Sequence, residues 1–309
     1  MASDTLVLVN PGCNYGTGRS RWEGVRPEVL RRLAEPLVEY IHAPDRIGGQ
    51  VAESFSRGVR FFVAAGGDGT VNLLLNAIMA IPEHDRCVIG AVGLGSSNDF
   101  HKPFDETVFL GKAPVRIDRT NAVQTDVIRV DYRNGNSRAN SCCCLLNASI
   151  GITAEANAFF NSRTRFIRAL QRLWVEAAIF VTALRGVIGF RDVPCELSFD
   201  DGQEMRFGVS NLGILKRHHF AGSLCYDTPV APDSGTLAVN LCHDLSLFER
   251  VRVLVSLSNG RFRGLPKTRC CLAGSLSVRS ERSFALEVDG EVVRAREVRF
   301  SVVPKAVQV

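Results

Sequence analysis

One segment of this sequence joins three glycines to side chains that can meet anions, metal ions or reacting hydroxyls. It is Gly66-Gly-Asp-Gly-Thr-Val-Asn72, which follows an apolar stretch and precedes a helical pattern. Glycines let backbone N–H groups approach an anion because no Cβ stands in the way, and a helix start adds the positive end of its dipole. Thr70 can cap the helix and donate a hydroxyl, while Asp68 can contact a metal ion or a reacting hydroxyl. The segment predicts a phosphate-binding loop, although it lacks the lysine of a Walker A motif.

Two further segments carry similar chemistry after other apolar stretches. Gly93-Leu-Gly-Ser-Ser-Asn-Asp-Phe100 offers the hydroxyl of Ser96 to phosphate, and its Asn98 and Asp99 can cap a helix or hold a ribose or metal-bound water. Asn10-Pro-Gly-Cys-Asn-Tyr-Gly-Thr-Gly18 is the third segment of this kind. The carboxyl ends of parallel strands meet in one crevice of an α/β sheet. We therefore expect the three segments to line the same crevice.

The elements that position these segments alternate between strand and helix in the first third of the chain. The predicted strands are Leu6–Val9, Leu37–Ile41, Arg60–Ala64 and Cys87–Val92. The predicted helices are Arg21–Leu33, Gly49–Phe55 and Val71–Ala80. This alternation is typical of a parallel sheet covered by helices on both faces.

Near residue 113 the pattern changes to short β-rich segments separated by turn residues. They are Gln124–Tyr132, Ala139–Ser149, Cys195–Phe199, Met205–Asn211, Gly235–Cys242, Thr268–Val278, Phe284–Val288 and Val298–Val303. We predict a mostly antiparallel β-sandwich and two domains, residues 1–118 and 119–309. Ser162–Phe190 breaks the pattern with a basic amphipathic helix, which either lies on a membrane surface or covers the sandwich.

Composition and charge exclude several classes of protein. The 309 residues are 46% hydrophobic and 22% charged, which excludes a disordered chain and a coiled coil. The net charge of +5 is too small to indicate nucleic-acid binding and suits an anionic cofactor or an anionic membrane face. The ten cysteines form no zinc-type spacing and most lie in apolar runs, as buried thiols in a reducing compartment do. Neither a signal peptide nor an apolar run of membrane-spanning length is evident, so we expect a cytoplasmic location.

The three glycine-rich segments, in this order, resemble the catalytic domain of the diacylglycerol kinase family, which includes bacterial lipid kinases, sphingosine kinases and ceramide kinases. Asn10-Pro11-Gly12, Gly66–Asn72 and Gly95–Phe100 are similar to the family patterns N-P-x-S-G, G-G-D-G-T-x-N-E and G-T-x-N-D-F-A-R. Similar segments continue along nearly the whole chain: Asp126 in Thr-Asp-Val-Ile, Asn147–Glu155, Pro229–Leu237 and Val288-Asp-Gly-Glu291.

The resemblance implies an α/β N-terminal lobe like that of NAD kinases and a C-terminal β-sandwich lobe, with ATP in the cleft between them. It implies transfer of the γ-phosphoryl group of ATP to a lipid hydroxyl of diacylglycerol or a sphingoid-type acceptor. The enzyme would work at a membrane surface and touch the inner face peripherally. The residues that the resemblance implies for nucleotide binding are Asn10, Gly66, Gly67, Asp68, Gly69, Thr70, Val71, Asn72, Ser96, Asn98 and Asp99.

The resemblance also implies which residues carry out the chemistry. Glu291 would accept the proton in the bacterial branch, whereas Asp68 has that role in the sphingosine kinase branch, and we expect the two to face each other across the cleft. Asp233 matches the aspartate of a metal-binding loop with a spacing one residue short, and Mg²⁺ is expected with ATP. Leu73 stands where the family pattern has a glutamate.

Two alternatives stay open. One is an NAD kinase-like enzyme, which shares the G-G-D-G-T pattern. The other is a catalytically inactive regulator that binds nucleotide or lipid, for which Leu73 is the main support. The sequence does not name the lipid, because acyl-chain pockets are generic apolar surfaces. It does not reveal the oligomeric state either.

Overall fold

The computed structural model describes residues 3–135, 137–160, 186–222 and 224–309. The chain forms two compact units. The first is Met1–Val127 together with Pro304–Val309, and the second is Ile128–Val303. The sequence-based division at residues 118 and 119 differs from this one, because the first unit extends further and also takes in the segment at 304–309. Within the described residues, no helix has the length and apolar character needed to cross a bilayer.

The first unit is built on a parallel sheet. Its strands β1 (Thr5–Val9), β2 (Leu37–Tyr40), β3 (Phe61–Gly66) and β4 (Val88–Gly93) lie in the order β2–β1–β3–β4. Every residue of β1 and β3 is buried, as expected for strands covered on both faces. The short strands β5 (Val108–Leu110) and β6 (Ala113–Arg116) pair antiparallel with each other, and β6 also pairs with β4.

The helices of the first unit follow the strands as the pattern predicts. They are α1 (Cys13–Gly16), α2 (Gly18–Arg32), α3 (Ile47–Ser56) and α4 (Asp68–Met79). Trp22 and Val29 of α2 are buried against Val7 and Val63 of the sheet. The four strands and three helices predicted for this part are confirmed, with no end shifted by more than three residues.

The second unit is antiparallel. It contains β8 (Asn140–Cys144), β9 (Asn147–Gly151), β10 (Val193–Phe199), β11 (Glu204–Leu215), β12 (His219–Phe220), β13 (Leu224–Cys225), β14 (Leu237–His243), β15 (Thr268–Ala273) and β16 (Ser275–Val288). Two strands, β7 (Gln124–Arg133) and β17 (Glu291–Gln308), carry the chain between the units. The main path runs β15–β14–β11–β10–β16–β17, and β9 pairs with both β11 and β16. The apolar residues of these strands form one core that includes Leu197, Leu212 and Phe284.

Two predicted strands prove to be interrupted. Ala139–Ser149 divides into β8 and β9 because the intervening N–H groups of Leu145 and Leu146 donate to a carboxylate instead of a neighbouring strand. Thr268–Val278 divides at Gly274, whose N–H donates to Asp200.

Two helices of the second unit were not predicted. They are α5 (Ile152–Phe160) and α6 (Leu247–Ser258). Residues 162–185 of the predicted basic helix lie outside the described part of the chain.

Candidate active site

The three glycine-rich loops meet at the carboxyl ends of β1, β3 and β4. Asn10, directly after β1, donates through Nδ2 to Oγ1 of Thr70, over 3.0 Å. The N–H of Leu94, directly after β4, donates to the carbonyl of Gly66 over 2.8 Å. The sequence-based expectation that the three loops share one end of the sheet therefore agrees with the structure.

Gly67 and Gly95 bring two of the loops into backbone contact. A Cβ on Gly95 would lie 2.6 Å from the Cα of Gly67, and a Cβ on Gly67 would lie 3.2 Å from the Cα of Gly95. A Cβ on Gly66 would likewise lie 2.2 Å from Oγ1 of Thr70. Loop packing therefore requires these glycines. The other use that the sequence predicts for them, the close approach of an anion to the backbone, stays a prediction.

Asn98 and Arg21 fix the loop after β4. Asn98 adopts the left-handed conformation, with φ of 52°. Its side chain accepts from the N–H of Gly95 over 3.0 Å and donates to the carbonyl of the same residue over 3.3 Å. Arg21 of α2 donates to the carbonyls of Leu94 and Gly95. We did not predict a role for Arg21, because its sequence context shows a helix but not the carbonyls that its guanidinium reaches.

Both carboxylates of this region contact neighbouring groups of the same unit. Oδ1 of Asp68 accepts the N–H of Phe100 over 3.0 Å, which ties the start of α4 to the loop after β4. Asp99 is buried and pairs with Lys102 over 2.5 Å. Burial raises the pKa of the nearby Cys13 thiol, and the guanidinium of Arg21 acts in the opposite direction.

The remaining nucleotide-binding candidates differ in what they expose. Val71 is buried with its side chain in the core, so only its backbone is available to a ligand. Asn72 accepts from Nδ2 of Asn76 over 3.1 Å. Ser96 is exposed, whereas the neighbouring Ser97 buries an Oγ that has no hydrogen-bond partner in the described structure. Buried hydroxyls are rarely left unpaired, so Ser97 indicates a place where a polar ligand or water would fit.

The other predicted site residues, Glu291 and Asp233, belong to the second unit. Glu291 is exposed and begins β17, directly after a two-residue turn formed by Asp289 and Gly290. Their φ angles of 44° and 94° are those of a type I′ hairpin turn. Since Asp68 lies in the first unit, the expectation that it faces Glu291 stays a prediction.

The side chain of Asp289, the first residue of this turn, anchors the turn to the segment between β8 and β9. This buried carboxylate accepts the N–H groups of Leu145, Leu146 and Asn147 over 3.0, 3.1 and 3.0 Å. The aspartate of the Asp-Gly-Glu motif therefore anchors the link between β8 and β9. Asp289 lies 144 residues from Leu145 in the sequence, so no local pattern indicates this contact.

Two further contacts fix the same turn. The N–H of Gly290 donates to Oε1 of Glu287 over 2.7 Å, and Ser149 donates to the other oxygen of that carboxylate over 2.7 Å. Asn157 of α5 donates to the carbonyl of Gly290 over 3.2 Å. Glu291 thus projects from a turn whose backbone is held on several sides, which suits a carboxylate that must be placed accurately.

The loop around Asp233 is organised by an ammonium group. Lys216 is buried, and its Nζ donates to the carbonyls of Ala231 and Thr236 over 2.9 Å each and to Oγ of Ser234 over 3.3 Å. Asp233 itself is exposed. Oxygen ligands of this kind suit a hard cation such as Mg²⁺, but here they surround a lysine. The residues present do not favour a metal ion at these oxygens, and metal binding by Asp233 stays a prediction.

The same chain matches two sequence families in succession. Residues 4–130 match the family described as "Diacylglycerol kinase catalytic domain". Residues 147–309 match "YegS C-terminal NAD kinase beta sandwich-like domain". The chain belongs to the diacylglycerol kinase family. This confirms the resemblance drawn from the glycine-rich loops, the two-part fold with a β-sandwich, and the assignment of the chain as a lipid kinase.

Individual members of the diacylglycerol kinase family are distant but similar over most of their length. A "Diacylglycerol kinase" of Staphylococcus saprophyticus is 24% identical, over 94% of this chain and 90% of that protein. A "Probable lipid kinase YegS-like" of Yersinia enterocolitica is 24% identical, over 84% of this chain and 81% of that protein. A solved diacylglycerol kinase structure from Bacillus anthracis shares the fold with a TM-score of 0.66 at 14% identity, over 99% of this chain and 96% of that one.

Proposed function

We propose that this protein transfers the γ-phosphoryl group of ATP to a lipid hydroxyl, with diacylglycerol or a sphingoid-type lipid as the acceptor. The observation that carries the proposal is the contact between Gly67 and Gly95, which joins two glycine-rich loops beside the start of α4. In a member of a lipid kinase family, this arrangement supports nucleotide binding at the carboxyl ends of the strands.

Three features of the loops suit the polyphosphate of ATP. The glycines at positions 66, 67 and 95 let the loops pack closely, which gathers main-chain groups of both loops at one end of the sheet. The start of α4 lies in the same loop and adds the positive end of the helix dipole. Ser97 adds a buried hydroxyl without a partner in the described structure. ATP would supply the phosphoryl group, and Mg²⁺ is expected to accompany it and neutralise its charge.

The chain's own carboxylates would align the acceptor. Asp68 is held in place by the N–H of Phe100, and a carboxylate with a fixed position suits the orientation of an acceptor hydroxyl. Glu291 would accept the proton of the lipid hydroxyl late in the transfer. Removing a group of this kind typically lowers the rate by about 10²–10⁴-fold.

Two conservative substitutions test these roles. Glu291→Gln and Asp68→Asn keep the shape of each side chain and remove its charge, so each should lower the kcat of ATP-dependent lipid phosphorylation by about 10²-fold or more. Glu281→Gln is the matched control, because Glu281 is another exposed glutamate of the same β16–β17 hairpin. Near-normal turnover of both test variants would rule out the assignment.

The acceptor is identified with labelled ATP and a panel of diacylglycerol, a sphingoid base, ceramide and NAD. Phosphorylation of one lipid is the expected result. Formation of NADP would instead place the chain with the NAD kinase-like alternative. Nucleotide binding without phosphorylation of any acceptor would indicate an inactive regulator, for which Leu73 in α4 is the sequence feature to examine.

A further inference from the structure

Helix α6 carries apolar residues on two faces. Its inner face buries Val253 and Leu257 in a cluster with Tyr226, Leu245 and Phe262. This face accounts for the position of the helix in the second unit.

The outer face of α6 is apolar as well. Leu247, Phe248, Val251 and Val255 are 52%, 77%, 41% and 57% exposed. Their spacing of three, four and eight residues puts them on one stripe, because residues three or four apart are neighbours on a helix. An amphipathic helix normally turns a polar face to water. A continuous exposed apolar stripe therefore indicates a surface that meets a partner.

The segment that contains the stripe has an excess of basic residues. Residues 244–272 contain six basic and two acidic residues, a net charge of +4, of which Arg250 is paired with Asp192 outside the segment over 2.7 Å. One of the acids, Glu249, is used in the capping box with Ser246 and in an ion pair with Lys267 over 2.9 Å. Arg252 lies on the helix one turn after Phe248, and Arg261 and Arg263 follow its end; all three are exposed.

We propose that this outer face of α6 docks the protein on an anionic membrane surface. Phe248 and the aliphatic side chains beside it would enter the boundary between headgroups and acyl chains, while Arg252, Arg261 and Arg263 contact lipid phosphates. Apolar side chains flanked by arginines are the composition that interfacial helices use, and basic residues near an anionic membrane surface are attracted to it. A protein partner with an apolar groove would not need the surrounding positive charge.

The proposal rests on the proposed function, since a kinase that acts on a membrane lipid must reach the bilayer. The outer face of α6 contains none of the predicted site residues. Docking can be measured without nucleotide, so its failure would leave the phosphorylation assay untouched, and a failed phosphorylation assay would leave docking measurable.

Vesicle co-sedimentation tests the face directly. The full chain should bind vesicles that contain phosphatidylglycerol and leave pure phosphatidylcholine vesicles largely unbound, with binding that weakens as salt rises. Phe248→Glu/Val255→Glu should lower the partition coefficient by about tenfold or more, because two apolar contacts are lost and negative charge is added. Arg261→Ser/Arg263→Ser should lower it by about tenfold as well. The matched control is Val108→Glu, since Val108 is a similarly exposed valine of the first unit.

A conservative variant keeps the test decisive if the charged variants fold poorly. In Phe248→Trp, tryptophan emission should shift to shorter wavelength on binding and be quenched by brominated lipid, relative to the unsubstituted protein. Val108→Trp should show neither change. Unchanged emission from Phe248→Trp on bound vesicles, or equal binding by all variants, would overturn the proposal. So would self-association through this face in sedimentation velocity without vesicle binding, which would identify a second copy as the occupant.

Discussion

Replacing Gly95 by alanine is expected to disable nucleotide binding while leaving the protein folded. The added Cβ would lie 2.6 Å from the Cα of Gly67, whereas carbon atoms in contact are normally about 3.5–4.0 Å apart. The two loops must therefore separate by roughly 1 Å. No flexible side chain can move aside, because the atom that is met belongs to the backbone.

The size of the effect follows from that displacement. An overpacked contact typically costs about 1–3 kcal/mol of stability, which a chain of this size tolerates. A displacement of about 1 Å in a site that positions a reacting group can cost about 10²-fold in rate. We expect Gly95→Ala to lower kcat/KM for ATP by about 10²-fold and Gly67→Ala to lower it less, because the latter Cβ would lie 3.2 Å from its neighbour.

The assay combines ATP titration by calorimetry, lipid phosphorylation and thermal unfolding of each variant. Gly49→Ala is the matched control, since Gly49 lies in α3 and a Cβ there would meet no atom within 4 Å. In a helix this change is expected to raise stability by up to about 1 kcal/mol. ATP affinity and kcat/KM of Gly95→Ala within about threefold of the unsubstituted protein would refute the reasoning. The loops would then have accommodated the added Cβ with a displacement smaller than about 1 Å. A larger loss for Gly67→Ala than for Gly95→Ala would refute it too.

Three further predictions concern the second unit. Asp289→Asn should lower the free energy of unfolding by about 3 kcal/mol in urea titrations, because three buried N–H groups lose a charged acceptor; a loss under about 1 kcal/mol would contradict this. Lys216→Met should cost about 1–3 kcal/mol by leaving carbonyls unpaired, and excess EDTA should leave the unfolding temperature of the unsubstituted protein unchanged; a fall with EDTA would instead support a metal ion near Asp233. The Lys267 ammonium and the backbone and hydroxyl of Ser246 lower the pKa of Glu249 to about 2. Because this folded-state pKa lies below the ordinary value, the contribution of Glu249 is present above that value and lost as the pH falls towards 2. Glu249→Gln should therefore lower the unfolding temperature near neutral pH, and the difference should vanish in strong acid.

Much of the first unit could be predicted because its signals are local. Buried apolar strands such as β3 and β4 end at glycines, and each glycine-rich loop opens a helix or turn. Parallel topology then brings the loops together without further information. The role of Arg21 was not predictable, because its partners are carbonyls more than 70 residues away.

The second unit depends more on distant contacts. The break between β8 and β9 is caused by Asp289, which no pattern around Leu145 reveals. Helix α6 was missed because apolar residues on both of its faces remove the usual helical period. A local signal was nevertheless present, since Ser246 and Glu249 form the capping box that often precedes an apolar helix.

Strand β17 has a consequence for how the protein is made. Its end contributes to the first unit: Gln308 pairs with Val88, the N–H of Lys305 donates to Asp126 over 2.9 Å, and the carbonyl of Ala306 lies 2.7 Å from Nδ1 of His84. During synthesis, the first unit cannot be completed until these residues leave the ribosome, after the second unit has been translated. We therefore expect the first unit to finish folding only after the second has been translated, and a gene fragment that stops after Val127 would lack these contacts.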